Sequence, residues 1–166
     1  LGERSGVWMS AAGARSSGRD VYIEEYAGSS DSGTYSDGQA RGLESFNAGT
    51  LSGRYYNSGF TVQWFLHSQK QRDPHGAYSS LFNDPRTKMT DSRGFVEARY
   101  EPFLGKSVQL LTRAHLNHYR FAGTYAYAVE DGGLQNDRFW GTWAGLESRL
   151  VVSASNAFRL TFGGEG

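Results

Sequence analysis

The sequence predicts an all-β chain laid out as an antiparallel up-and-down meander, and three observations carry that prediction. Apolar and polar residues alternate with period 2 through segment after segment. The connections between those segments run long, short, long, short, long, short along the chain. Aromatic residues gather at the ends of the segments rather than in their middles. Helical patterning is nearly absent, and no capped amphipathic segment stands out.

Taken in order, a weak first strand is expected over 7–16 and a second over 44–56. The third, over 60–71, puts Phe60, Val62, Trp64 and Leu66 on one side and Gln63, His67 and Gln69 on the other, with Phe65 among them. The fourth, 93–101, sets Val96, Ala98 and Tyr100 against Glu97, Arg99 and Glu101. The fifth, 108–119, sets Leu110, Ala114 and Leu116 against Arg113, His115 and Asn117. In the sixth, 139–152, Trp140, Ala144, Leu146 and Leu150 oppose Gly145, Glu147 and Arg149, and Phe158, Leu160 and Phe162 open a seventh. Only "NSG" separates the second and third strands, a tight hairpin turn. "PFLGKS" and "SASNA" make the other two short links, whereas long connections are expected near 17–43, 72–92 and 120–138.

Composition narrows the class. Lys+Arg and Asp+Glu balance at 17 each, so no polybasic signature of nucleic-acid binding is present. Aromatics at 14% with 22 glycines, 3 prolines and a mean hydropathy of −0.57 fit many strands and turns, not a helical bundle. The absence of cysteine excludes a disulfide scaffold, a thiolate metal site and a cysteine nucleophile. No apolar run reaches the length of a membrane-spanning helix, and no signal-peptide pattern is found. Because the first residue is Leu1, a processed form or a piece of something longer is expected.

Alternation is the same whether the apolar row meets a protein core or lipid. Long loops all at one end and tight turns all at the other are the organisation of bacterial outer-membrane barrels, and such loops are uncommon in compact soluble domains. Several segments reach the roughly 9–11 residues a tilted strand needs to cross a bilayer. Tyr55, Tyr56, Phe60, Tyr100, Phe103 and Phe158 lie at the short-turn end, and Tyr119, Phe121, Tyr125, Tyr127, Phe139 and Trp140 at the other, as two interfacial girdles would. The expected fold is therefore a segment of a transmembrane β-barrel. Phe60, Val62, Trp64 and Leu66 face lipid, and Glu97, Arg99, Arg113, His115, Glu147 and Arg149 form a polar wall toward the lumen.

The chain resembles the barrel region of TonB-dependent outer-membrane receptors. "GRDVYIEEY" (18–26), "GAYSSLFNDPRTKMTDSRGFVEARYE" (76–101), "HYRFAGTYAY" (118–127) and "FRLTFGGE" (158–165) carry the likeness. The resemblance implies a bacterial outer-membrane location and energised uptake of a scarce nutrient such as a metal chelate, a cofactor or a glycan. Its implied partners are outer-membrane lipid, a plug domain, the remainder of the barrel, the TonB–ExbB–ExbD motor and the barrel-assembly machinery. No plug and no TonB-interacting box stand in this sequence, and it ends in "GGEG" rather than an aromatic final strand. A barrel of some 22 strands needs about 530 residues, so roughly a third of one is expected here. Two other readings are a small complete outer-membrane barrel with a structural or adhesive role and a soluble secreted β-sandwich that binds carbohydrate.

Candidate sites follow from the loops. Asp73, His75, Asp84 and Arg86 combine in one connection, although Asp-Pro and Asn-Asp-Pro are also ordinary turn initiators. His75, Tyr78, Asp84, Arg86, Tyr125 and Tyr127 are the ligand-contact candidates, since exposed loops make first contact. Glu24, Glu25, Asp31 and Asp37 match no calcium-loop spacing. His67, His75, His115 and His118 show no metal-ligand spacing, and no nucleotide or nucleophile motif is present, so neither a cofactor nor catalysis is expected. The row from Glu97 to Arg149 either holds a plug through charge pairs or satisfies itself as a ladder, and self-pairing is preferred for most of it.

Overall fold

The computed structural model describes residues 5–28, 36–155 and 157–166. Nine strands follow one another: β1 (Ser5–Ser16), β2 (Arg19–Ala27), β3 (Asp37–Leu43), β4 (Phe46–Asn57), β5 (Phe60–Arg72), β6 (Lys88–Tyr100), β7 (Val108–Ala126), β8 (Leu134–Ser155) and β9 (Phe158–Glu165). Seven of them form one antiparallel sheet in the order β1-β4-β5-β6-β7-β8-β9, and β2 and β3 form a separate two-stranded hairpin. No α-helix occurs among the described residues. The large sheet is open, because β1 and β9 are its two edges and do not pair with each other.

Every predicted strand is present, with two corrections to the expected layout. The 17–43 connection is not a plain loop but carries the β2–β3 hairpin. The 120–138 connection shrinks to residues 127–133, because β7 and β8 run on to 19 and 22 residues. Only 73–87, between β5 and β6, remains a long connection without strands, and it holds one short 3-10 turn. Between β4 and β5 the turn is as tight as expected: Ser58 (φ 46°) and Gly59 (φ 87°) take the two left-handed positions that a two-residue hairpin requires.

Continuous register from β4 to β8 aligns side chains into rows and defines two faces. One is apolar, with Val7, Leu51, Val62, Trp64, Leu66, Val96, Leu116, Leu146 and Leu160. The other is predominantly polar, with Thr50, Gln63, His67, Glu97, Arg99, Arg113, Asn117 and Glu147, and includes Phe65, Phe95 and Trp143 along one row. Shielding runs opposite to an ordinary soluble sheet. On β5 and β7 the polar-face residues 61–71 and 109–121 are all half-buried, whereas Leu66, Val96, Leu116 and Leu146 on the apolar face are 42–58% exposed. Among the described residues, the buried apolar side chains are Ala40, Tyr125, Ala126 and Ala128, all at the loop end. The large sheet thus has no apolar core of its own.

Glycine shapes the apolar face where bulky side chains lie flat. A Cβ on Gly53 would stand 2.3 Å from Cζ2 of Trp64, its cross-strand partner, so the indole occupies the space that a side chain there would need. The loop end is packed differently. Tyr26 of β2 stacks on Phe82 of the 73–87 connection at 4.3 Å between centroids. The Leu81 amide donates to the Ala126 carbonyl at 2.6 Å, and the Ala126 amide donates to Thr87 Oγ1 at 3.1 Å. Hairpin, connection and the top of β7 therefore form one small packed cap around buried Asp73, Pro74, Ser80 and Thr87.

Candidate functional site

The polar face holds a ladder of charges in mid-sheet. Glu97, 9% exposed, accepts from Gln63 Nε2 at 2.9 Å and from Arg99 Nε at 2.7 Å, and Arg113 Nη1 stands 3.7 Å from it. Arg113 also reaches Glu147 at 3.0 Å and Glu165 at 3.7 Å, and Arg149 pairs with Glu147. Strands β5 to β9 are thus laced through Gln63 and charged side chains. Arg113 and Glu147 face each other directly, and the contacts of Glu97 and Glu147 with Arg99, Arg113 and Arg149 offset the like-signed partners Arg99–Arg113 and Glu147–Glu165. The expected wall residues Glu97, Arg99, Arg113, Glu147 and Arg149 are brought together, with Gln63 and Glu165 added. His115 shares the face but not the ladder: its ring lies over Gly145, whose added Cβ would stand 2.5 Å from His115 Cε1. His67 Nδ1 lies 2.8 Å from Thr50 Oγ1.

The aromatic residues at the loop end do not form a girdle on the apolar face. Tyr119, Phe121 and Tyr125 share parity with Arg113, and Phe139 is the partner of Phe121, so all four sit on the polar face; of the six expected there, only Trp140 is on the apolar side. They converge instead on a basin of about 490 Å³ lined by Tyr78, Tyr119, Phe121, Tyr125, Tyr127, Phe139 and the single carboxylate Asp137. Tyr78 meets Tyr125 edge-on at 5.7 Å, and Phe121 and Phe139 tilt together at 5.9 Å. At the other end the expectation matches better: Tyr55, Phe60, Tyr100 and Phe158 are all on the apolar face, with Tyr56 on the polar one.

The ligand-contact candidates divide into two groups. Tyr78, Tyr125 and Tyr127 join in the basin. His75 turns to the buried Asp73, with which it pairs, and Asp84 and Arg86 pair with each other. Arg86 donates three times to Asp84, from its backbone amide at 2.8 Å, from Nε at 2.9 Å and from Nη2 at 2.6 Å. Its side-chain bonds, chiefly, hold the Asp84 carboxyl below the ordinary value and raise the guanidinium of Arg86. Asp37 is likewise lowered, first by the Gln39 amide and then by Arg41. Asp31, one of the acidic candidates, lies outside the described residues. Among those described, no group of three or more His, Asp or Glu side chains could hold a metal ion.

Tyr119, Phe121, Asp137 and Phe139 are the basin residues that sequence reasoning did not group as a site. Strand parity carried to the ends of β7 and β8 would have grouped them, because 119, 121 and 125 continue the odd-numbered polar row. Compared with protein-family models, with curated proteins and with solved structures, the chain matches none.

Proposed function

We propose that this chain is part of the wall of a bacterial outer-membrane β-barrel of the TonB-dependent receptor type, serving energised uptake of a scarce nutrient. The single observation that carries the reading is the inverted shielding of the sheet: the apolar face is the exposed one and the polar face carries a hydrogen-bonded charge ladder. In water, leaving Leu66, Val96, Leu116, Leu146 and Phe162 at 42–58% exposure forgoes about half of the roughly 1.5–3 kcal/mol that full burial of each side chain supplies. Acyl chains remove that penalty. In this reading Phe60, Val62, Trp64 and Leu66 face lipid, the Glu97–Arg149 ladder faces the lumen, and the tight turns are periplasmic.

Strand length supports the same reading, since every strand of the large sheet except β9 has at least 12 residues against the roughly 9–11 that span a bilayer. The extra length of β7 and β8 would lift the aromatic basin above the membrane, where a nutrient arrives first. A plug, the remaining strands, the TonB–ExbB–ExbD motor and the barrel-assembly machinery are the partners this role requires.

The test is the intact mass of the native species in detergent-extracted outer membranes, captured with an antibody to residues 76–101. A species several times larger than 18.3 kDa is expected. A species near 18.3 kDa in that fraction would replace the transport role with a small barrel, and recovery only in the soluble fraction would remove the membrane assignment altogether.

A further inference from the structure

Charge is divided between the two faces of the large sheet in a way that alternation does not require. The acidic side chains on its strands, Asp91, Glu97, Asp137, Glu147 and Glu165, all lie on the polar face. The charged side chains on the apolar face are all cations: Arg15, Lys70, Arg72, Lys88, Arg120 and Arg138. They occupy consecutive register rows at the loop end, directly above the apolar belt. One row runs Arg15, Asn47, Lys70, Thr90, Ala122, Arg138; Arg120 sits one row below it, and the paired Arg72 and Lys88 one row above. At about 7 Å per row the band is roughly 14 Å deep. Among the described residues none of the six makes an ion pair; on the polar face Arg99, Arg113 and Arg149 are ion-paired, and Arg54, Arg93 and Arg159 are not.

Immediately below the band lies an apolar groove of about 710 Å³, walled chiefly by Leu51, Trp64, Leu66, Val96 and Leu116. Gly49 gives it depth, because nothing stands within 4 Å of where its Cβ would be. At the head of the groove the hydroxyls of Ser68 and Ser92 meet at 2.9 Å. Ser92 is the cross-strand partner of Arg120, and Ser68 precedes Lys70 by two residues on the same face. A polar, cationic head above an apolar trough is the complement of one kind of molecule.

We propose that this face binds a phosphate-bearing lipid, its headgroup held at Lys70 and Arg120 within the basic band and an acyl chain lying in the groove. The proposal rests on the reading of the apolar face as the lipid-facing side. Unpaired cations next to hydrocarbon gain most from an anion fixed at the same depth, and a lipid phosphate is confined to that depth by its own chains.

The chain has no cysteine, so one introduced thiol is unique within it. In the native protein, a fluorophore on Leu146→Cys reports the belt outside the groove, and one on Val96→Cys reports the groove wall. The protein is reconstituted in phosphatidylcholine vesicles containing a minor fraction of phosphatidylglycerol, with the acyl chains of one lipid brominated at a time. Both brominated lipids are expected to quench the belt label, and phosphatidylglycerol to quench the groove label well beyond its mole fraction. Lys70→Gln and Arg120→Gln should each lower that enrichment about five-fold, the equivalent of about 1 kcal/mol per cation at a membrane surface. Raising salt should lower it in the unsubstituted protein, which needs no charge variant to fold. Equal quenching of the groove label by both lipids would overturn the headgroup site while leaving the lipid-facing reading intact. No quenching of the belt label by either would overturn that reading itself. Loss of enrichment on adding millimolar inorganic phosphate at constant ionic strength would turn the site into one for a free anion.

Discussion

At the scale of single residues, Glu97 is the side chain on which the polar ladder turns. It is the most shielded carboxylate of the sheet and takes bonds from both Gln63 and Arg99 while facing Arg113. A charge-assisted hydrogen bond contributes about 1.5–3 kcal/mol. Arg99 and Arg113 are 44% and 34% exposed, so water compensates part of their loss. Glu97→Gln should therefore destabilise by about 1–2 kcal/mol in urea unfolding from lipid, whereas Arg149→Gln, on a 55% exposed side chain, should cost under about 1 kcal/mol. Equal costs would mean that the ladder does not centre on Glu97. Asp84 makes a second case, this time in pH. Its folded value lies below 3.8, so the pairing with Arg86 contributes stability fully present above 3.8 and lost as pH falls through the folded value. A carboxyl-carbon titration should give Asp84 a midpoint below 3.8, and Arg86→Gln should move it upward. An unmoved midpoint would show that Arg86 is not the cause.

At the scale of elements, what was legible in the sequence was whatever obeyed a single period. β4 and β5 end within two residues of their expected bounds because "NSG" marks their turn and alternation persists on both sides. β2 and β3 were missed for a physical reason: their pairing is irregular, with register shifts after Arg19 and again after Tyr22, so neither strand alternates cleanly. The tops of β7 and β8 were missed because polar and aromatic residues share one face there, which blurs the apolar–polar contrast while parity continues unbroken. The strand residues of the basin were legible only by parity for the same reason, and its Tyr78 arrives from a different connection altogether. The hairpin, once seen, has an identifiable anchor. Asn83 accepts from the Arg41 amide at 2.8 Å, donates to the Gln39 carbonyl, and sits at φ 58°, a conformation that asparagine tolerates better than most residues. Asn83→Ala removes both bonds from the β3 edge and strains the backbone, and should loosen the β2–β3 hairpin by about 1–2 kcal/mol. Faster amide exchange across Asp37–Leu43, with β5 and β6 unchanged, is the expected signature; uniform protection would mean the Tyr26–Phe82 stack alone suffices.

At the scale of the whole molecule, the open sheet decides how the chain behaves when it is separated from any partner. β1 and β9 each present a row of unpaired backbone donors and acceptors, and such edges recruit another strand. The register identifies which groups on β9 are available. Leu146 and Gly166 exchange both of their backbone hydrogen bonds, at 2.8 and 3.0 Å, so in the alternating antiparallel pattern Thr161, Gly163 and Glu165 direct their amides away from β8. Proline at one of these positions removes an outward donor without breaking a bond to β8, which is how proline is tolerated at a sheet edge. Gly163 is a poor choice, because a Cβ there would stand 2.6 Å from the Ser148 carbonyl oxygen. Thr161→Pro is the clean one. The 166-residue chain in detergent should sediment as a species heavier than 18.3 kDa, and Thr161→Pro should shift it toward the monomer while leaving the β7–β8 amides protected. Association undiminished by the substitution would place recruitment at β1, where the same logic applies to the outward amides of Ser5–Ser16. A chain that is monomeric from the start would mean that neither edge recruits a second copy.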